Sequence, residues 1–206
     1  DSFSARAQAV NFSLAQLSDL LSIADARGRR VYVTFNTLLT DREIPPAVEL
    51  LAELEDIAPD ALIVQDLGVA RLVRTHFPKL QLHASTQLVA HNLEGVLAMR
   101  DLGFSRVVLS RELPISDIRS IAQRCGCELE VFVHGALCYS ISGLCLFSAM
   151  EKGRSGNRGR CAYCCRMPYV SASGERSLPF SMKDLRLDDR LDVLREAGVA
   201  SLKIEG

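Results

Sequence analysis

ALIVQDLGVARLVRTHFPKLQLHASTQ, residues 61–87, is the stretch that decides the fold. Ala61–Gln65 is a short apolar run bounded by polar residues and reads as a buried strand. Near Val69–Thr75 the apolar positions recur at helical spacing, and Gln81–Ala84 is extended again. Two short apolar strands joined by a helix pair side by side in parallel, because only a crossover returns the chain to the same end of the sheet.

The unit repeats in both directions. Upstream, Leu14, Leu17, Leu20, Leu21 and Ala24 keep helical spacing behind Ser13, a good N-cap, with Gly28 as the stop. Arg30–Asn36 (RVYVTFN) is β-branched and aromatic, and Pro45 and Pro46 suit the first turn of a helix reaching about Asp56. Downstream, strands at Arg106–Leu109 and Glu128–Val133 alternate with helices near Asn92–Leu102 and Ser116–Arg124. A helix near Asp189–Glu196, stopped by Gly198, precedes a last strand at Ser201–Ile204. Such alternation calls for a parallel sheet covered by helices.

Polar residues stand at successive strand ends: Asn36, then Gln65 and Asp66, His83 and Ser85, Ser110 to Glu112, His134, and finally Glu205. In a (β/α) barrel these ends converge on one face, whereas an open doubly wound sheet strings them along a line. The expectation is an α/β fold, a TIM-barrel-like parallel sheet forming one partial catalytic domain over residues 1–206, with an inserted Cys-rich loop at 134–169. The chain opens in mid-motif at Asp1, so the expected barrel lacks its first strand and its last units.

Gln65, Asp66, His83, Arg111, Glu112, His134 and Glu205 form the candidate catalytic set. Together they supply donors, acceptors and acid–base groups for a small polycarboxylate and a base edge. Arg111 is the natural carboxylate clamp. Each has a plainer alternative, since strand-to-helix turns are polar anyway, and Ser85-Thr86-Gln87 and Ser116 suit helix caps. By alternation Lys203 and Glu205 share a face, with Ile204 on the other.

The loop 134–169, HGALCYSISGLCLFSAMEKGRSGNRGRCAYCCRMPY, offers little that reads as ordinary helix or strand. Cys138, Cys145, Cys161 and Cys165 have six, fifteen and three residues between them, with Cys164 beside the last. Four thiolates in a glycine-rich loop can enclose an iron–sulfur cluster or a zinc ion. Zinc is the rival occupant, because Cys161 and Cys164 have knuckle spacing, but the other pair is too widely spaced for a second knuckle. Cys125 and Cys127 flank an apolar strand and read as small buried hydrophobes. Lys152, Arg154, Arg158, Arg160 and Arg166 form the only basic cluster, interleaved with Tyr163 and Tyr169. Arg154, Arg158, Arg160, Tyr163 and Arg166 are therefore candidate contacts for single-stranded RNA; the alternative is a solvated loop whose arginines pair with nearby acids.

With 206 residues, 48% hydrophobic and 24% charged, and a net charge of −1, the chain can build one sizeable core and is not basic overall. It has no apolar run of the roughly 18 residues a membrane span needs and no export leader, so a cytoplasmic, membrane-free setting with reduced thiols is expected.

EVFVHGALCYSISGLC, GRSGNRGRC and CRMPY resemble the signature of peptidase family U32, the collagenase-like family. FSARAQAVNF, NTLLTD, ALIVQDLG, LHASTQ, VVLSREL, SMKDL and SLKIEG extend the likeness along nearly the whole chain. It is most similar to the branch that hydroxylates pyrimidines in tRNA or 23S rRNA. That resemblance implies a [4Fe–4S] cluster on Cys138, Cys145, Cys161 and Cys165, with Cys164 as a substitute ligand, and prephenate as co-substrate. A peptidase is the alternative the family name offers, although HExxH and GxSxG are both lacking and only Cys138 with His134 could form a thiol–imidazole pair. A third reading is an iron–sulfur partner subunit for another hydroxylase, working beside a protein of the same family.

Overall fold

The computed structural model describes residues 3–5 and 10–205, so four residues of FSARAQAVNF, at 6–9, lie outside the described residues. The first helix, α1 (Leu14–Asp25), begins in a capping box. Gln16 N donates to Ser13 Oγ, and Ser13 N donates back to Gln16 Oε1. Next come β1 (Tyr32–Phe35), α2 (Ile44–Ile57) with its prolines in the first turn, β2 (Ala61–Val64), α3 (Leu67–His76) and β3 (Leu82–Ala84). The alternation continues through α4 (Leu93–Asp101), β4 (Arg106–Val108), α5 (Ile115–Ala122) and β5 (Glu128–Ala136).

Strands β1 to β5 pair in chain order, all parallel, and the sheet curls into a half-barrel. Beyond β5 lie α6 (Phe147–Lys152), the hairpin β6 (Tyr169–Val170) and β7 (Arg176–Ser177), β8 (Asp184–Arg186), α7 (Leu191–Glu196) and β9 (Ser201–Ile204). Two strands share the outer edge of β5. β9 runs parallel along its first half, and β8 runs antiparallel along His134–Ala136. Among the described residues β1 and β9 do not pair, so the barrel is not closed by them.

Three local expectations need correction. β5 runs past Val133 to Ala136, because β8 and β9 supply its ladder partners. Ser116 does not cap α5: Pro114 holds the cap position, and the Ser116 hydroxyl turns to Asp117. The Cys-rich loop contains a helix after all, α6, ended by Gly153 in the left-handed conformation.

The convex face of the sheet, including Phe35, Leu62, Val64, Leu82, Val107 and Leu129, packs against Leu51, Leu54, Val69, Val73, Val96 and Ile118 of the helices in one buried cluster. Each such side chain contributes about 1.5–3 kcal/mol through area removed from water.

The concave face is different. Arg106, whose side chain is 5% exposed, donates to Glu128 (2.9 and 2.6 Å) and Glu130 (3.2 Å) and lies over the Tyr32 ring. Glu130 also accepts from Ser201 Oγ and Lys203 Nζ, both at 3.0 Å. Burial works against its charge, yet Lys203, Ser201 and Arg106 together hold the carboxyl below its ordinary value. A buried ion network of this kind survives only because each charge finds a partner.

Candidate active site

The parallel register brings the carboxyl ends of the strands to one mouth, where hydrogen bonds tie each to the next. Gln65 Nε2 donates to Asn36 O across β1 and β2 (2.7 Å), and Asn36 Nδ2 donates to Gln87 Oε1 beyond β3 (2.8 Å). Ser110 Oγ, after β4, meets His91 Nδ1 at 3.2 Å. Arg111 reaches over to β5, donating to Ala136 O, pairing with Glu205 and stacking on Phe132 with its guanidinium carbon 3.8 Å from the ring centroid. Glu205 N in turn donates to His134 O (3.0 Å).

The Cys-rich loop folds back over this mouth and is fastened at several points. Glu112 accepts from Ser142 N (2.6 Å) and Ser142 Oγ (3.0 Å), gripping the segment between Cys138 and Cys145. Gly143, at φ +80°, lies directly on the Gln87 backbone. Gln65 Nε2 donates a second time, to Asn157 O (3.0 Å), within the turn Gly156–Arg158. Arg158 donates to Leu38 O (2.9 Å) and pairs with Glu43, whose carboxyl it pulls down to about 2. Arg166 donates to Leu137 O (3.1 Å), Ser181 Oγ (3.1 Å) and Met182 O, with Asp184 at 3.3 Å.

These contacts sort the residues expected from sequence. Gln65, Arg111, Glu112 and Glu205 meet at the mouth or its rim. Asp66 is absorbed in capping: Oδ1 accepts from Gly68 N and Val69 N at the start of α3, and Oδ2 accepts from Leu39 N. His83 lies one layer below, in register with Arg106. Its ring is 6% exposed and edge-on to Tyr32, and Nδ1 has no partner. Burial first, and the Arg106 charge second, lower its pKa to about 4, so the imidazole is neutral. His134 is exposed on β5, within electrostatic range of Asp188, whose carboxyl is lowered mainly by its hydrogen bond from Arg186. Of the candidate RNA contacts, Arg158 and Arg166 hold the loop, and Arg154 Nε donates to Arg160 O (3.1 Å). Arg160 is exposed, and so is Tyr163, a non-glycine residue at φ 54°.

All seven cysteines are free thiols. Burial raises the Cys138 pKa; Arg111 opposes that, and the thiols of Cys165, Cys145 and Cys161 add to it. Those four therefore occupy one electrostatic neighbourhood beside Arg111. Cys164 turns away: it is buried, and its carbonyl accepts from Tyr169 OH (3.0 Å). Among the described residues no three of the cysteine, histidine or acidic side chains stand close enough to hold a metal ion. The donor set nonetheless suits a thiophilic group, and a loop with left-handed glycines at 143, 153 and 159 can draw in around it. Cys125 and Cys127 lie elsewhere, leading into β5, and burial pushes the Cys127 thiol up to about 12.

Sequence reasoning missed Ser142 and Gln87. Ser85-Thr86-Gln87 does form a cap: Ser85 Oγ accepts from Gln87 N (3.3 Å) at the start of the turn Thr86–Leu88. Nothing in that reading told where the Gln87 carboxamide goes.

Over 99% of its length the chain is 42% identical to the 23S rRNA 5-hydroxycytidine C2501 synthase of Escherichia coli, covering 32% of that protein. It is 34% identical to the tRNA hydroxylation protein P of Helicobacter pylori, over 95% of this chain and 50% of that one. It is also 31% identical to a collagenase of Porphyromonas gingivalis, over 95% and 51%. The chain thus spans from about a third to about half of the length of these relatives. A solved structure described as the U32 peptidase Mk0906 shares the fold, with a TM-score of 0.55 at 17% identity over 66% of this chain and 58% of that one. The model of peptidase family U32 matches residues 1–206 throughout, and the chain belongs to that family.

Proposed function

We propose that this chain is the catalytic portion of an enzyme that hydroxylates an unpaired pyrimidine of tRNA or 23S rRNA, with prephenate as co-substrate. The observation that carries the reading is the meeting of the polar strand ends at one mouth, with the Cys-rich loop fastened over it through Gln65 and Glu112. The hydroxylases among its relatives support it. Cys138, Cys145, Cys161 and Cys165 would hold a [4Fe–4S] cluster, which when bound supplies one-electron chemistry at the mouth.

The chain's own residues do the rest. Gln65, Asn36 and Gln87 present fixed carboxamides to a base, and Glu112 holds the loop over it. A base must leave its stack to enter such a site, which favours loop or anticodon targets. Prephenate is a dicarboxylate, and in binding to Arg111 it would displace Glu205. Arg160 and Tyr163 are the exposed cation and ring left for the RNA strand.

RNA from cells lacking the gene, analysed by nucleoside mass spectrometry, tests the reading. Wild-type full-length protein should restore hydroxylated pyrimidine and Cys138→Ala should not; unchanged modification in the deletion strain refutes the proposal. Peptidase chemistry is the competing reading, given the collagenase relative. Among the described residues no hydrogen bond joins the Cys138 thiol to the His134 imidazole. Cleavage of collagen peptides by the full-length protein, abolished in Cys138→Ser, would put the peptidase in its place.

A further inference from the structure

Gln65 and Gln87 are held so that each leaves one half of its carboxamide unbonded among the described residues. The orientation of each amide is set by backbone groups, whose donor and acceptor roles are fixed. Ala5 N donates to Asn36 Oδ1 (2.9 Å), so Asn36 must offer Nδ2 to its other neighbour. That neighbour is Gln87, which answers with Oε1, also accepting from Ser85 Oγ (3.1 Å). Gln87 Nε2, a double donor, has no acceptor among the described residues. On the other side, Gln65 Nε2 is committed to two backbone carbonyls, those of Asn36 and Asn157. Gln65 Oε1 has no donor among the described residues.

The backbone carrying Gln87 is also constrained. Val89, which ends its turn, adopts φ 62° and ψ 48°, a left-handed conformation that is strained for a β-branched residue. Strain of this kind persists only where surrounding structure imposes it, and it gathers at functional sites. The loop meets this same turn, since Gly143 rests on the Gln87 backbone. Both residues therefore lie where the cysteine loop meets the mouth, Gln65 through its carboxamide at Asn157 and Gln87 through its backbone at Gly143.

We infer that Gln87 and Gln65 form a donor–acceptor pair that reads the Watson–Crick edge of the bound pyrimidine, with Gln87 the specificity-determining residue. A donor beside an acceptor matches cytosine, through N3 and the N4 amine, and uracil, through O4 and N3–H. Adenine's N1 and N6 amine offer the same pattern on a larger ring, so the pair selects a pyrimidine only together with the loop that closes the site. The inference rests on the RNA reading above and assigns the contact within it.

The test is binding by the anaerobically purified full-length protein to single-stranded RNA ten-mers with a central cytidine or uridine. Gln87→Ala should weaken binding about 5- to 30-fold, as expected for one lost hydrogen bond in a dry site. Iron content and melting temperature should match wild type. A ten-mer whose central base lacks the acceptor, 3-deazacytosine in place of cytosine, should bind wild type and Gln87→Ala within about twofold of each other. Equal affinity of both proteins for the natural ten-mers overturns the assignment and leaves the RNA reading intact. Equal weakening on natural and acceptor-less bases makes Gln87 purely structural and also overturns it. If wild type binds the natural ten-mers no better than an abasic one, the RNA reading itself fails, and the assignment falls with it.

Discussion

Gly143→Ala measures how firmly the cysteine loop is seated. At φ +80° any side chain costs roughly 1–2 kcal/mol in backbone strain. The new Cβ would also stand 2.5 Å from Gln87 O and 2.7 Å from Gln87 Cα, backbone atoms that cannot swing aside. Relieving such overpacking costs about 1–3 kcal/mol more, for a total of about 2–5 kcal/mol. The fastening contacts beside it, Glu112 to Ser142 and Gln65 to Asn157, contribute about 1–3 kcal/mol each, so the substitution can lift the loop locally. Gly153→Ala is the matched control, because φ there is +62° with nothing within 4 Å, so only the strain remains. Amide hydrogen exchange across residues 138–146 should run about 5- to 150-fold faster in Gly143→Ala than in Gly153→Ala, that ratio being the steric share alone. The global melting temperature should differ little between them, since the core does not touch the loop's rim. Equal exchange in the two variants would show that the loop does not bear on Gln87, and the reasoning would fail.

Other perturbations probe the barrel interior and the RNA face. Glu130→Ala strips Lys203 and Ser201 of their acceptor and Arg106 of one of two; a loss of about 3–5 kcal/mol, or roughly 6–20 °C in melting temperature, is expected by circular dichroism. His83 titrates near 4 in the folded chain against 6.5 ordinarily, so the unfolded state binds the extra proton. Its contribution is complete above pH 6.5 and is lost as pH falls towards 4, by up to about 3 kcal/mol. Denaturant unfolding at both pH values should show a smaller loss in His83→Gln, and an identical loss would contradict a buried neutral imidazole. Arg160→Ala should lower the slope of log affinity for single-stranded RNA against log salt by about 0.7, whereas Arg158→Ala, already spent on Glu43, should leave the slope as it is.

The alternation of strand and helix was legible because its signals are local. Ser13 with Gln16 and Pro45 with Pro46 mark helix starts wherever they occur, and the apolar strands can only be buried. β8 was not legible, since an antiparallel strand lying against the end of β5 depends on a pairing partner nearly fifty residues away that no neighbouring residue reveals. The arginines show the same limit. Arg158 and Arg166 look like phosphate contacts in a basic stretch, yet their partners are Glu43, Leu38, Leu137 and the 181–184 segment, reached only in three dimensions. Among the cysteines, spacing left Cys164 and Cys165 open. In the fold they differ in burial, Cys164 being buried and Cys165 half-buried, a difference set by the turn Cys164–Arg166 that spacing does not show.

The long reach of the loop's fastenings bears on the order in which the molecule assembles. Gln65 and Asn157 are 92 residues apart, Arg158 and Glu43 115, and Arg158 and Leu38 120. Contacts of such separation close late, after the segments between them have condensed. The loop consequently settles over the mouth only when the opening quarter of the chain has docked, and before that point Cys145, Cys161 and Cys165 lack even the partial cover they have in the fold and are more open to oxidation and to stray metals. A substitution at Glu43, remote in sequence from every cysteine, would delay that closure, and its damage would appear as protein delivered from the cell with its thiols already oxidised.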